Sequence, residues 1–407
     1  MRLRRSLADS ARSLYRFPAV RTALLVAGPA RWRLPRTLRW RIESQAAVAR
    51  KHRRELLRFG GRESVVPTDG PVPAPTFGHR IVARPYRVPV PYVCELEHVW
   101  LVGRNATPVT RDGRVLLTPY RNEPRMLGLE AHVDLERFVA SKAYEQPWPD
   151  DAVERPLFSA VTRVDVNYAH WLLETCGQLE GVRAWAERSA AEPTVLVRSD
   201  GPRFQRASLA MLGFADALTD WTPDRPPLAV DRFVVTSIPG TPVAVSPRSV
   251  AWLRRELVDG RSRPPHAGGP VPPPAAEGRT RIFIARPRGG WRYVENADEV
   301  ERALGTRGFT TLAAEHLSFD EQVAVFGSAE MVVAQHGAGL TNLLFAPADC
   351  SVVELTGGYG DGLFYSLANA IGQRYRSLDG VTDGDSMTVD VPALLRLVDD
   401  LIDDQAV

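Results

Sequence analysis

Long apolar runs are missing from this sequence of 407 residues. The longest apolar stretch near its start, residues 22–30, falls far short of the ~20 residues needed to cross a bilayer. It is interrupted by Gly28-Pro29 and flanked by arginines. A basic start followed by a short apolar run loosely imitates a secretory signal, but no small-x-small cleavage site follows, so the expectation is a protein retained in the cytoplasm. Cysteine is scarce. Cys94, Cys176 and Cys350 lie far apart without CxxC spacing, which excludes a disulfide framework and a cysteine zinc site and leaves each as a small core residue. No G-x-G-x-x-G follows a strand and no G-x-x-x-x-G-K-[ST] occurs, which counts against a nicotinamide-dependent oxidoreductase and a Walker-type nucleotide site. Zinc-finger, helix-turn-helix and RNA-binding motifs are also missing, so no nucleic-acid partner is expected.

What is present is enough chain for two domains. The hydrophobic share of 44% and charged share of 24% are ordinary for a globular protein. The net charge of +3 conceals an asymmetry: residues 1–60 carry thirteen more basic than acidic side chains, leaving the remainder near −10. A basic helical arm of this kind, with Phe17, Trp32 and Trp40 among its arginines, suits an anionic surface such as the inner face of a membrane. The alternative is a solvated or self-packed terminal segment, since Pro18, Pro29 and Pro35 break any long helix. Arginine, alanine and proline are plentiful and lysines few, a composition that suggests a high-GC bacterial source.

Two Pro/Gly-rich stretches divide the chain. Residues 61–78 and 261–279 read as linkers, separating the arm (1–60), an N-terminal α/β domain (79–260) and a C-terminal α/β domain (280–402). The last residues, from Asp403, should fray. Strand patterns at 99–102, 115–119, 157–162, 194–199 and 232–237 alternate with helical patterns opening at Asn167, Phe204 and Ser246-Pro247. After the second linker, strands at 281–286, 309–314, 331–335 and 351–355 alternate with helices. One runs from Ala297 behind an Asn296 cap, one follows a Ser318–Glu321 capping box, and one spans 362–372. This alternation predicts parallel sheets with helices on both faces, two domains facing a cleft, and ligands beyond the C-terminal strand ends.

Four groups of residues carry candidate chemistry. Gln335-His336-Gly337-Ala338-Gly339-Leu340-Thr341-Asn342 follows a very apolar strand and opens a helix. Its glycines permit close approach of backbone, and its free N–H groups suit a phosphate or diphosphate to which His336 can also donate. The plainer reading is a tight turn with a buried His. Arg286, Arg288 and Arg292 follow the first strand of the same domain, where guanidinium forks recognise phosphate oxygens, or form an exposed basic loop. Glu354, at a strand end, suits ribose hydroxyls or a salt bridge. In the N-terminal half, Asn167 caps a helix on which His170 and Glu174 share one face; the carboxylate can orient the imidazole as a general base. The competing reading is a satisfied His at a packed helix start.

Together these residues resemble glycosyltransferase family 61. The resemblance rests on Arg286, Arg292 with Asn296, L-S-F-x-E-Q (317–322), H-G-A-G-L-T-N (336–342), the late V-V-E-L carrying Glu354, and the upstream N-Y-x-H-W-L-L-E (167–174). It covers roughly residues 158–354, about half the chain; the arm and much of 61–150 match no pattern. It implies a GT-B-like architecture of two Rossmann-like domains and an inverting transfer from a nucleotide sugar, usually a UDP-sugar, to a glycan acceptor, with no metal or other cofactor. By the same resemblance Arg286, Arg292, His336, Gly337 and Gly339 would hold the diphosphate, with Ala338 and Asn342 in the same donor site. Glu354 would hold the donor's ribose or sugar, and His170 or Glu174 would be the acceptor-side base. Capsule or cell-envelope polysaccharide synthesis would be the setting, and a non-catalytic sugar-nucleotide- or polysaccharide-binding component of an envelope assembly is the alternative. The sequence departs from the family pattern at Ala297, where Glu is usual, and at Glu174, where Asp is commoner.

Overall fold

The computed structural model describes residues 41–67, 83–117, 138, 141–223, 225–240, 244–260, 279–286, 293–358, 362–384 and 386–405. Most of the basic arm, much of the 61–78 stretch, nearly all of the 261–279 stretch, Arg288 and Arg292 lie outside these residues. Among the described residues no helix is long and apolar enough to cross a membrane.

The body of the protein begins earlier than residue 61. Ser44 caps helix α1 (Gln45–Lys51), whose Val48 and Ala49 are fully buried, so this part of the expected arm packs into a core. Residues 63–65, read as linker, instead pair as a strand with Tyr86–Val88. The Glu63 carboxylate accepts hydrogen bonds from the Ser246 hydroxyl and from Arg248 N–H (2.8 Å), at the start of a later helix.

The first sheet has nine strands; besides the short segments Arg41–Ser44 and Leu57–Arg58 they are β1 (Tyr92–Val102), β2 (Thr107–Thr110), β3 (Arg114–Leu117), β4 (Leu157–Ser159), β5 (Thr194–Arg198), β6 (Leu218–Trp221) and β7 (Leu228–Thr236). They lie in the order β3-β2-β1-β7-β4-β5-β6. The pairs β7/β4, β4/β5 and β5/β6 are parallel, as the alternation with helices demands. The pairs β1/β7, β1/β2 and β2/β3 are antiparallel. The expected wholly parallel N-terminal sheet is therefore corrected. Residues 92–117 have no intervening helices, and short turns can join only antiparallel neighbours. The β1–β2 turn closes back over the other end of the sheet, where Arg198 at the end of β5 donates to the Arg104 carbonyl (3.0 Å) and to Asn105 Oδ1 (3.1 Å). The same guanidinium is paired with the buried Asp165 (2.8 Å). Helices α2 (168–189), α3 (Arg203–Met211) and α4 (Pro247–Leu257) complete this half. Ser246 caps α4 with Pro247 at its first position, as expected.

The second sheet contains β8 (Thr280–Ile284), β9 (Phe309–Leu312), β10 (Ala329–Gln335), β11 (Ser351–Thr356) and β12 (Arg374–Asp379), in the order β9-β8-β10-β11-β12. Every pair in it is parallel. Strand β11 is buried along its whole length and β10 nearly so, as expected for central strands covered on both faces. Alternation divides their side chains: Val333, Val353 and Leu355 pack against α5 (Ala297–Gly305) and α8 (Val391–Gln405), and Val332, Ala334 and Val352 pack on the other side against α6 (Phe319–Gly327), a 3-10 helix (Ala338–Leu344) and α7 (Leu363–Ile371). The capping box of α6 is formed as read. Helix α5 starts at Ala297, but Asn296 makes no side-chain cap; its amide exchanges hydrogen bonds with Val389 (2.9 and 3.0 Å) and ties the loop before α8 to the start of α5. Helix α8 was not anticipated, and it runs through Asp403 and Asp404, which were expected to fray.

The two halves share one continuous apolar core. Trp171, Leu172, Val250 and Leu253 from the first half and Ile284, Leu340, Phe364 and Leu367 from the second belong to the same buried cluster. Arg254 of α4 donates to the carbonyls of Leu344 and Ala346 (2.7 Å each), satisfying the end of the 3-10 helix across the boundary.

Candidate active site

In the second sheet the strand order reverses between β8 and β10, and in open parallel sheets ligands bind beyond the strand ends at such a reversal. Ile284 pairs with Ala334, so Arg286 and His336 leave adjacent strand ends two residues later. These are the residues that the sequence analysis expects to bind phosphate.

Gly337 is shaped for Arg286. Its φ of +154° is one that side chains rarely adopt, and a Cβ built there would run into the guanidinium Nη2 of Arg286. The guanidinium therefore rests on the glycine's bare Cα. Gly339 differs: a Cβ there would make an ordinary 3.4 Å contact with Ile284. Gly337 is buried, whereas Ala338 and Gly339 are partly open.

His336 is 8% exposed and Glu354 is 1% exposed. The imidazole Nδ1 hydrogen-bonds Glu354 Oε1, and the hydroxyl of Tyr375 donates to Glu354 Oε2. The ring of Phe364 meets the imidazole edge-on at 5.3 Å, and the backbone N–H of His336 donates to the Leu355 carbonyl (2.9 Å). The expectation that Glu354 binds sugar or ribose hydroxyls is corrected on this ground: it is sealed from solvent and both its oxygens are engaged, so it acts on His336. Tyr375 had no sequence signal, because it lies on a separate strand and reaches the site only through sheet pairing.

Asn342 is likewise turned inward. It is fully buried; its Oδ1 accepts from the Tyr168 hydroxyl (2.7 Å) and its Nδ2 donates to Gln322 Oε1 (2.8 Å). Gln322 in turn donates to the Leu317 carbonyl (3.2 Å). Asn342 is thus a clamp, not a ligand contact. It joins three segments that were recognisable in sequence only separately: 167–174, 317–322 and 336–342. Loss of hydration pushes the Tyr168 phenol well above its usual value, so the hydroxyl keeps the proton it donates.

Tyr168 opens α2. Asn167 caps this helix as expected, accepting from Ala169 N–H (3.0 Å) and His170 N–H (3.4 Å). The segment Trp171–Cys176 is π-helical, a wider turn that often marks functional sites. Trp171 anchors it by donating from its indole to Ser208 Oγ (2.8 Å). His170 Nδ1 and Glu174 Oε1 are 3.0 Å apart, with the imidazole 35% and the carboxylate 12% exposed. The pair is therefore formed and reachable, and the Tyr168–Asn342 bond ties its helix to the turn that carries His336 and Gly337. Among the described residues no cluster of three or more His, Cys, Asp or Glu is placed to hold a metal ion. The three cysteines are buried, and burial pushes each thiol up to about 12, which keeps them inert core residues.

The sequence pattern described as Glycosyltransferase 61 matches residues 168–353, just under half of the chain. An EGF domain-specific O-linked N-acetylglucosamine transferase of Drosophila melanogaster is 32% identical over 111 residues, covering 26% of this chain and 21% of that protein. A beta-1,2-xylosyltransferase of Oryza sativa subsp. japonica is 39% identical over 78 residues, 19% of this chain and 14% of the relative. An EGF domain-specific O-linked N-acetylglucosamine transferase of Mus musculus is 30% identical over 104 residues, 24% and 20% of the two chains. The chain thus spans about a fifth or less of the length of these relatives. The matched region contains the switch-point residues, the Asn342 clamp and the His170–Glu174 pair, so it is the site-bearing part of the chain, residues 168–353, that is similar to glycosyltransferase family 61.

Proposed function

We propose that the chain transfers a sugar, with inversion, from a nucleotide-sugar donor to a hydroxyl of a glycan acceptor, and that the two sheets correspond to the halves of a GT-B-like enzyme. The observation that carries this reading is the convergence at one strand-order reversal of Arg286, Gly337 and His336, bound through Asn342 to the helix bearing His170 and Glu174. In this reading the diphosphate lies against Arg286, the open backbone of Ala338 and Gly339, and His336. Charge building on the departing diphosphate meets fixed donors, which need no reorganisation when the bond breaks. The acceptor hydroxyl loses its proton to the His170–Glu174 pair and attacks the anomeric carbon from the face opposite the leaving group.

A UDP-sugar donor and a reaction without added metal are part of the proposal, as are cytoplasmic location, contact of residues 1–60 with an anionic membrane, and a role in capsule or envelope polysaccharide synthesis. Residues 1–40, ahead of the part that packs into the core, carry ten arginines and one aspartate, a surplus of nine that supports the membrane contact. The names of the relatives make N-acetylglucosamine and xylose the first sugars to try. Turnover of UDP-N-acetylglucosamine and UDP-xylose, followed as released UDP with glycan acceptors and with EDTA present, tests the reading. His170→Ala and Glu174→Gln should each lower kcat by about 10²–10⁴-fold while leaving the donor KM nearly unchanged. Undiminished turnover in both variants removes this pair as the base. Nucleotide binding without turnover in the native chain favours the non-catalytic binding component.

A further inference from the structure

Glu354 is a carboxylate sealed inside the second sheet, and a buried charge persists only where it is paired and hydrogen-bonded. Its two oxygens meet His336 Nδ1 and the Tyr375 hydroxyl. Among the described residues, Glu354 of β11 with Tyr375 of β12 behind it and Phe364 of α7 meet the His336 ring, and the guanidinium of Arg286 lies against the adjoining Gly337. An ionised Glu354 requires the proton of a neutral imidazole to be on Nδ1. Nε2 is then the acceptor nitrogen of the ring, and it makes no hydrogen bond to another described residue. The imidazole keeps 10% of its surface open.

We propose that Glu354 and Tyr375 are positioning residues that make His336 take up a proton when the donor binds. The proposal rests on the donor-site reading above. A phosphate oxygen and a bare Nε2 are both acceptors and cannot bond to each other. An anionic diphosphate at Nε2 is held only if one proton enters from solvent and makes the ring an imidazolium, with Nδ1–H donating to Glu354 and Nε2–H to the phosphate. No bond to phosphorus forms or breaks in this step. Glu354 favours the added charge from behind the ring, Arg286 opposes it, and the arriving diphosphate reverses that opposition by lying against both cations. Tyr375 keeps the carboxylate aimed at Nδ1. A purely structural Glu354 would leave binding uncoupled from protons.

The test is calorimetric titration of the full chain with UDP at pH 8 in two buffers of different ionisation enthalpy, where the terminal phosphate of UDP is already fully ionised. The native chain should take up between about one half and one proton per UDP, and its affinity should fall by up to about tenfold per pH unit as pH rises. Glu354→Gln should lose most of that uptake and bind UDP at least about tenfold more weakly at pH 8, and Tyr375→Phe should fall between the two. Nitrogen NMR of the native chain requires no variant: His336 should carry its proton on Nδ1 when free and on both nitrogens with UDP bound. UDP binding without proton uptake, uptake undiminished in Glu354→Gln, or a free ring protonated on Nε2 alone would each overturn the proposal. A chain that binds no UDP at any pH, yet shows the Nδ1–H tautomer, would instead defeat the donor-site reading, a separately visible outcome.

Discussion

At Gly337 and Gly339 the same residue type does two different jobs. The first makes room for a side chain of the protein itself: a Cβ in place would run into Arg286 Nη2, and the guanidinium must shift. The second has room to spare, since a Cβ there only touches Ile284. Gly337→Ala should therefore weaken nucleoside diphosphate binding by more than tenfold, because the φ of +154° and the lost guanidinium seat act together. Gly339→Ala should leave the thermal melting temperature within a few degrees of the native value. Any loss of nucleotide affinity in that second variant then reports the approach of ligand to backbone, since the protein accommodates the methyl group. Paired titration and melting of the two variants checks this. If Gly337→Ala binds as well as the native chain, the close seat of Arg286 has no part in recognition.

The elements that build the site are held together by one buried amide. Tyr168→Phe removes the donor to Asn342 Oδ1 and leaves that fully buried oxygen without its partner, which should cost about 1–3 kcal/mol in denaturant unfolding. Because the bond ties α2 to the turn after β10, the variant should also lower turnover more than it lowers nucleotide affinity. Unchanged stability would show the bond to be absent in solution. Much of this was legible in sequence because local rules agreed with the fold. The Ser318–Glu321 box, Ser246-Pro247 and Asn167 each mark a helix start by chemistry that acts within four residues. The reading failed where a side chain's partner is distant in the chain. Asn296 leaves its own helix for Val389, Asn342 faces Tyr168 and Gln322 rather than a ligand, and Glu354 spends both oxygens on His336 and Tyr375. A motif shows that a residue matters but not which way it points. The π-helical turn beside His170 likewise carries no periodic signal that separates it from an ordinary helix.

At the scale of the whole molecule, parallel pairing was readable where a helix separates two strands that themselves carry a clear apolar run; β6 and β12, more polar, were missed, and the reading failed over 92–117, where turns join the strands. The continuous core between the halves was hidden from sequence for another reason: a helix buried on two sides has the same apolar spacing as one buried within its own domain. That core has a functional consequence. Rigid-body opening of the halves would expose Trp171, Leu340 and Phe364 to water at a cost that rises with the apolar area uncovered, so adjustment on ligand binding is expected in loops rather than across this seam. The switch point is then formed before any ligand arrives. Calorimetric titration with UDP, GDP, CDP and NAD, with and without EDTA, tests this most directly when Arg286→Ala is titrated beside the native chain. One nucleoside diphosphate should bind, EDTA should leave its affinity unchanged, and the variant, though as stable as the native protein, should lose at least tenfold in affinity. Binding of NAD in preference, or nucleotide binding that survives loss of the Arg286 guanidinium, would contradict the donor-site reading.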